Sequence, residues 1–143
     1  MIYLDISFIA PLAIAEASSE SVEAFLLRRK AELATSQRTR VELAGLVARR
    51  TCMGELDANQ ADTIRAACDR LLGETFTMQT VANADYATAV ALLAKPDTGL
   101  RAGDALHLAI AKNHKVKTMY TLDRGLLKAG KRLKLPVSAG IAV

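Results

Sequence analysis

The chain has 143 residues, 51% of them apolar and only 4% aromatic, with a formal net charge of +4. That length suits one domain over residues 1–143, with a core built from Ala, Leu, Val and Ile. No apolar run approaches the roughly 20 residues of a membrane span, and Asp5 comes too early for a secretory signal, so a soluble cytoplasmic protein is expected.

Residues 1–5 predict a short buried strand through Ile2, Tyr3 and Leu4. It ends on an acid, Asp5, with a hydroxyl, Ser7, two residues on. No element is assigned to residues 6–17. A helix is predicted from Ser18 to about Lys30, with Val22, Phe25 and Leu26 on its apolar face and basic residues at its end. The stretch "LATS" (33–36) reads as a strand, and residues 38–52 as a helix. Asp57, with Gln60 three positions later, predicts a capped helix running to about Leu72. "TFTMQTV" (75–81) alternates like a strand, Ala82 to Leu93 is helical, and "KPDTG" is a turn. "LRAGDALHLAIAKNH" predicts a helix, "VKTMYTLD" a strand, "RGLLKAGKRL" a short helix and "LPVSAGIAV" an edge strand.

Cys52 and Cys68 are far apart and lack metal-ligand spacing, so no zinc site is expected. Cys68 shares an apolar stripe with Ile64, Leu71 and Leu72 and reads as a buried thiol. The alternation of strands and helices predicts an α/β fold, a three-layer sandwich with a central, mostly parallel sheet. In such sheets, sites form beyond the carboxyl ends of the strands. Asp5 ends the first strand and Asp123 a later one, so the two acids are expected at one sheet edge. Clustered carboxylates repel, and a bound hard cation, magnesium or manganese, removes that repulsion.

From Arg101 to Lys134 there are nine Lys and Arg residues but only two acids, Asp104 and Asp123. Glu42 is the one acid between Leu33 and Gly54. Isolated acids in basic surroundings suit a metal-dependent nuclease, in which cations hold phosphates and acids hold the metal. On the helix after Leu100, Arg101, Asp104 and His107 are spaced by three and form one polar stripe. Each residue also has a plainer reading. Asp104 can complement the helix dipole, and Asp123 can cap the helix that follows it. Glu42 can pair with Arg38, Ser7 can cap a helix after Asp5, and His107 can be a packed, hydrogen-bonded histidine.

"YLDIS", Glu42 in "TRVEL", "LRAGDALHLAIA" and "TLD" at 121–123 together resemble the PIN-domain ribonucleases, and among them the VapC-type toxins of toxin–antitoxin pairs. The resemblance runs over essentially the whole chain. It implies a metal site on Asp5, Glu42, Asp104 and Asp123, with Ser7 and Thr121 as supporting hydroxyls. Ile6 departs from the family, which often has a small or hydroxyl residue there, and Gly103 is unusual in a helix. The implied activity is magnesium-dependent hydrolysis of RNA phosphodiesters by a metal-activated water. The implied partners are an RNA substrate, a cognate antitoxin and a second copy in a homodimer. Two other functions are open to the residues themselves. One is a non-catalytic RNA-binding module using the basic C-terminal third. The other is a phosphoacceptor domain using Asp5 and Asp123, although the paired acids beside the first strand that it needs are missing.

Overall fold

The computed structural model describes all 143 residues. Five strands form one sheet: β1 (Ile2–Leu4), β2 (Leu33–Ser36), β3 (Thr77–Gln79), β4 (Met119–Tyr120) and β5 (Val137–Ser138). Their spatial order is β3-β2-β1-β4-β5, and every pairing is parallel. Seven helices connect them: α1 (Ile6–Ala13), α2 (Ser19–Leu27), α3 (Gln37–Cys52), α4 (Ala58–Thr75), α5 (Asn83–Leu93), α6 (Ala102–Asn113) and α7 (Arg124–Arg132).

The strand period of two builds the layers. Successive side chains point to opposite faces of a sheet. Tyr3 therefore joins a core cluster with Ala89 and Leu92 of α5, Leu108 and Ile110 of α6, and Leu126 of α7. Its neighbour Leu4 joins the opposite cluster, with Phe8 and Ile9 of α1, Phe25 of α2, Leu43 of α3 and Leu72 of α4. Cys68 is buried in that second cluster, as its stripe predicts.

Most predicted elements are present, with shorter strands than the apolar runs suggest. Only Met119–Tyr120 of the 116–123 run pairs in the sheet, and the C-terminal strand is an edge strand of two residues. The predicted cap at Asp57 is a full reciprocal box with Gln60. By contrast, Ser18 makes no capping bond to α2. The unassigned segment holds α1. Its sequence, ISFIAPLA, is apolar almost throughout and contains Pro11, so it shows no helical stripe and carries a helix breaker. No helix of the molecule is long and apolar enough to cross a membrane.

The chain lays β2 and β3 on one side of β1, then returns to place β4 on the other. The switch point thus lies between the carboxyl ends of β1 and β4, where a crevice is expected in an open parallel sheet.

Candidate active site

A cavity of about 500 Å³ opens at that switch point. Asp5, Ser7, Glu42, Asp104 and Asp123 all line it, and Ile6 is its only apolar wall. Thr121 is fully buried just beneath, bonded to Asp5. The four acids come from four places in the fold: the end of β1, the second turn of α3, the first turn of α6 and the β4–α7 junction.

Asp5 is held from both sides. Ser7 Oγ donates to its Oδ1 at 2.6 Å and Thr121 Oγ1 to its Oδ2 at 2.6 Å. Both hydroxyls also accept from backbone, Ser7 from the Leu122 N–H and Thr121 from the Asp123 N–H. The supporting hydroxyls thereby tie the β1 end to the β4–α7 junction. Asp5 also caps α1, accepting from the Phe8 N–H at 3.3 Å. Ser7, read as a possible cap, is instead the second residue of that helix. With only 3% of its surface exposed, Asp5 has its carboxyl pushed above the ordinary range by burial.

Asp123 likewise does two things. Its Oδ1 accepts from the Leu126 N–H at 2.9 Å, capping α7, and its Oδ2 faces Arg101 Nη2 at 3.3 Å. The capping role and the cleft position thus coexist. Asp104 is not the cap of α6, since that position is Arg101. Asp104 Oδ2 accepts from Arg101 Nε at 3.2 Å, so one guanidinium bridges Asp104 and Asp123.

Glu42 is clamped by two donors. Arg38 Nη2 lies 2.9 Å from Oε1, the i,i+4 pair anticipated from sequence, and His107 Nε2 lies 2.8 Å from Oε2. Burial pushes the Glu42 carboxyl up, but His107 and then Arg38 outweigh it and hold the group below its ordinary range. Gly103 explains itself here. A Cβ on it would overlap the Arg38 guanidinium, so the bare backbone of α6 leaves room for that guanidinium where it pairs with Glu42.

The cations of the cleft are Arg38, Arg49 and Arg101, of which Arg49 had no signal in the sequence spacing. None of the basic residues from Lys112 to Lys134 lines it. The stripe Arg101, Asp104, His107 was the one available signal, and all three face the cavity.

As a donor set, four carboxylates with hydroxyls behind them fit a hard divalent cation. A cation already spans two of them, in the form of the Arg101 guanidinium. In this arrangement, however, no three Asp, Glu, His or Cys side chains stand close enough together to ligate one ion. Arg101 is 76% exposed and held only by those two acids, so it is free to leave them.

A family model of the PIN domain matches residues 2–132. The chain belongs to the PIN-domain family. Its parallel five-stranded sheet flanked by helices is the fold of PIN domains of known structure. The VapC20 toxin of Mycobacterium tuberculosis, described as cleaving the sarcin–ricin loop, superposes with a TM-score of 0.74 at 20% identity, covering 91% of this chain and 95% of that one. VapBC2 of Rickettsia felis, bound to a fragment of its promoter DNA, gives 0.71 at 17% identity over 96% and 98%. A toxin–antitoxin complex from Klebsiella pneumoniae gives 0.70 at 17% over the full length of both. At these identities the likeness speaks for the PIN fold. A comparison with curated protein sequences gives no match.

Proposed function

We propose that this PIN domain, spanning residues 1–143, is a divalent-metal-dependent endoribonuclease and the toxin of a toxin–antitoxin pair. The observation that carries this reading is the cavity in which Asp5, Glu42, Asp104 and Asp123 converge from four separate elements. PIN domains are generally nucleases that use divalent metals, and the structural neighbours include toxin–antitoxin complexes. Magnesium is the proposed ion, with manganese as a substitute.

In this reading the four acids hold the cation, while Ser7 and Thr121 fix the Asp5 carboxylate. When bound, the ion would supply an acidified water and charge stabilisation at the phosphate. Asp5, the most buried of the four, is the least able to move among them. Arg49 has no acid partner and lines the cleft beside Gly45, where no atom crowds the helix surface, so it is placed to bind an RNA phosphate. Arg101 is the second such group once it leaves Asp104 and Asp123. The proposed partners are RNA, a cognate antitoxin and a second copy of the chain, in the cytoplasm.

The direct test incubates purified protein with a structured RNA in magnesium, in chelator, and after magnesium is restored. Cleavage that stops with chelator and returns with the ion is expected. RNA binding without cleavage in any magnesium buffer would favour the non-catalytic module instead. For the toxin role, induced expression should arrest growth, and co-expression of a small protein from the neighbouring reading frame should relieve it.

Relocating the RNA contacts changes what salt should reveal. In the double variant Arg49→Gln, Arg101→Gln, the slope of log affinity against log salt should flatten by about 0.7 per lost single-strand phosphate contact. Removing charge at Lys128, Lys131 and Arg132, on the exposed and far part of α7, should change it less. A filter-binding series from low to high salt decides between the two paths. A flatter slope in the α7 variant alone would move the RNA track away from the arginines.

A further inference from the structure

A line of buried polar side chains ends on one cleft carboxylate. Tyr3 Oη lies 2.9 Å from Ser36 Oγ and 2.8 Å from His107 Nδ1, within hydrogen-bond distance of both. His107 Nε2 in turn lies 2.8 Å from Glu42 Oε2. Tyr3 and Ser36 are fully buried, and His107 is 2% exposed. Polar groups this deep cost stability unless each finds a partner, and a phenylalanine and a leucine would fill the same space at no such cost. Glu42 and His107 reach the cleft, whereas Tyr3 and Ser36 lie behind it.

The Glu42 carboxylate accepts and cannot donate, so Nε2 carries the hydrogen on that contact. Its other oxygen is bound by Arg38, a long side chain on the same helix, half-exposed and one turn away. His107 is different in kind. It stands on α6, one turn after Asp104, and its ring is wedged against Tyr3 with centroids 5.8 Å apart. The His107 bond is therefore the rigid link between the acid of α3 and the acid of α6.

We propose that His107 is a positioning residue, whose Nε2–H sets the Glu42 carboxylate relative to Asp104 and whose own ring is held by Tyr3. The role rests on the divalent-metal reading of the cleft, and its effect is on how tightly the cation is held. Two amide substitutions separate the halves of the ring. His107→Gln carries an amide nitrogen out to about the Nε2 position and keeps the donor to Glu42. His107→Asn reaches only the Nδ1 position, keeping contact with Tyr3 and losing Glu42.

The readout is Mn²⁺ affinity, followed by the paramagnetic resonance of the free ion, with unfolding midpoints measured alongside. His107→Asn should bind Mn²⁺ about 10–100-fold more weakly, and His107→Gln within a few-fold of wild type. Equal affinity in His107→Asn and wild type would overturn the positioning role and leave the metal reading standing. Equal weakening in both variants would overturn it too, because packing and not the donated bond would then be responsible. Wild type that binds no Mn²⁺ overturns the metal reading, and the positioning role with it. If both His107 variants fail to fold, Tyr3→Phe keeps the ring volume and removes the far end of the chain. It should still weaken Mn²⁺ binding several-fold, and wild-type affinity there would count against the proposal.

Discussion

Asp5→Asn is expected to lower magnesium-dependent RNA cleavage by more than about a hundredfold while the fold and RNA binding persist. Asparagine keeps the size of the side chain. Its amide oxygen can still accept from the Phe8 N–H and Ser7, so the α1 cap survives. What goes is the charge that the cation needs. One purified variant, assayed for cleavage and binding with co-purifying nuclease excluded, is sufficient. Cleavage at the parent rate would remove Asp5 from the site and the nuclease mechanism with it. The same substitution has a signature in stability. Burial raises the Asp5 carboxyl in the folded chain, so the folded state holds this proton more tightly than the unfolded one. The resulting stability is fully present below the unfolded value of about 4 and is lost as pH rises through the folded value. Without metal, wild type should therefore lose ground to Asp5→Asn across that interval. Denaturant midpoints at a series of pH values follow the signed difference, and a wild type that gains on Asp5→Asn as pH rises would contradict the burial of an ionisable Asp5.

Magnesium at about 100 times its dissociation constant should stabilise the fold by about 2.7 kcal/mol, because only the folded chain brings the four acids together. For a chain of this size that is a rise of roughly 5–10 °C in the unfolding midpoint. Asp104→Asn should lose most of this rise, yet its metal-free midpoint should not fall. Asp104 caps nothing, and its one protein partner is the exposed Arg101, a solvent-screened contact that adds little to stability. Thermal melts of the two proteins with and without the ion give all four numbers. A metal-free Asp104→Asn that melts far below wild type would mean that the aspartate serves the helix and not a cation. Asp123 calls for the same care. It caps α7, so alanine there would cost about 1 kcal/mol regardless of the cleft, and asparagine is the informative substitution.

The fold was legible where local chemistry and tertiary role agree. β1, β2 and α3 read directly, and the Asp57–Gln60 box marked the start of α4. α1 was not legible, because a helix buried on nearly every side has no stripe and this one also carries Pro11. Strand lengths were overestimated since apolar runs such as 116–123 continue past the paired residues into the loop that carries Thr121 and Asp123. For the site, the acids were visible through their places at element boundaries. Their neighbours were not. That His107 meets Glu42, or that Arg101 spans Asp104 and Asp123, depends on how α3, α6 and α7 pack, and no spacing along one helix encodes a meeting across three. The basic run from Lys112 to Lys134 drew attention by its density, whereas the cleft takes three arginines scattered over two segments.

The bond between Thr121 and Asp5 joins residues 116 positions apart. The crevice has one wall from the first strand and another from the fourth, which pairs directly with it. A growing polypeptide on the ribosome therefore carries Asp5 and Glu42 early but has no complete site until nearly its whole length has emerged. Products lacking the last quarter have neither Asp123 nor Thr121 and so cannot close the cleft as it stands here. Whatever the finished chain does at this cleft is therefore withheld until its synthesis is almost complete.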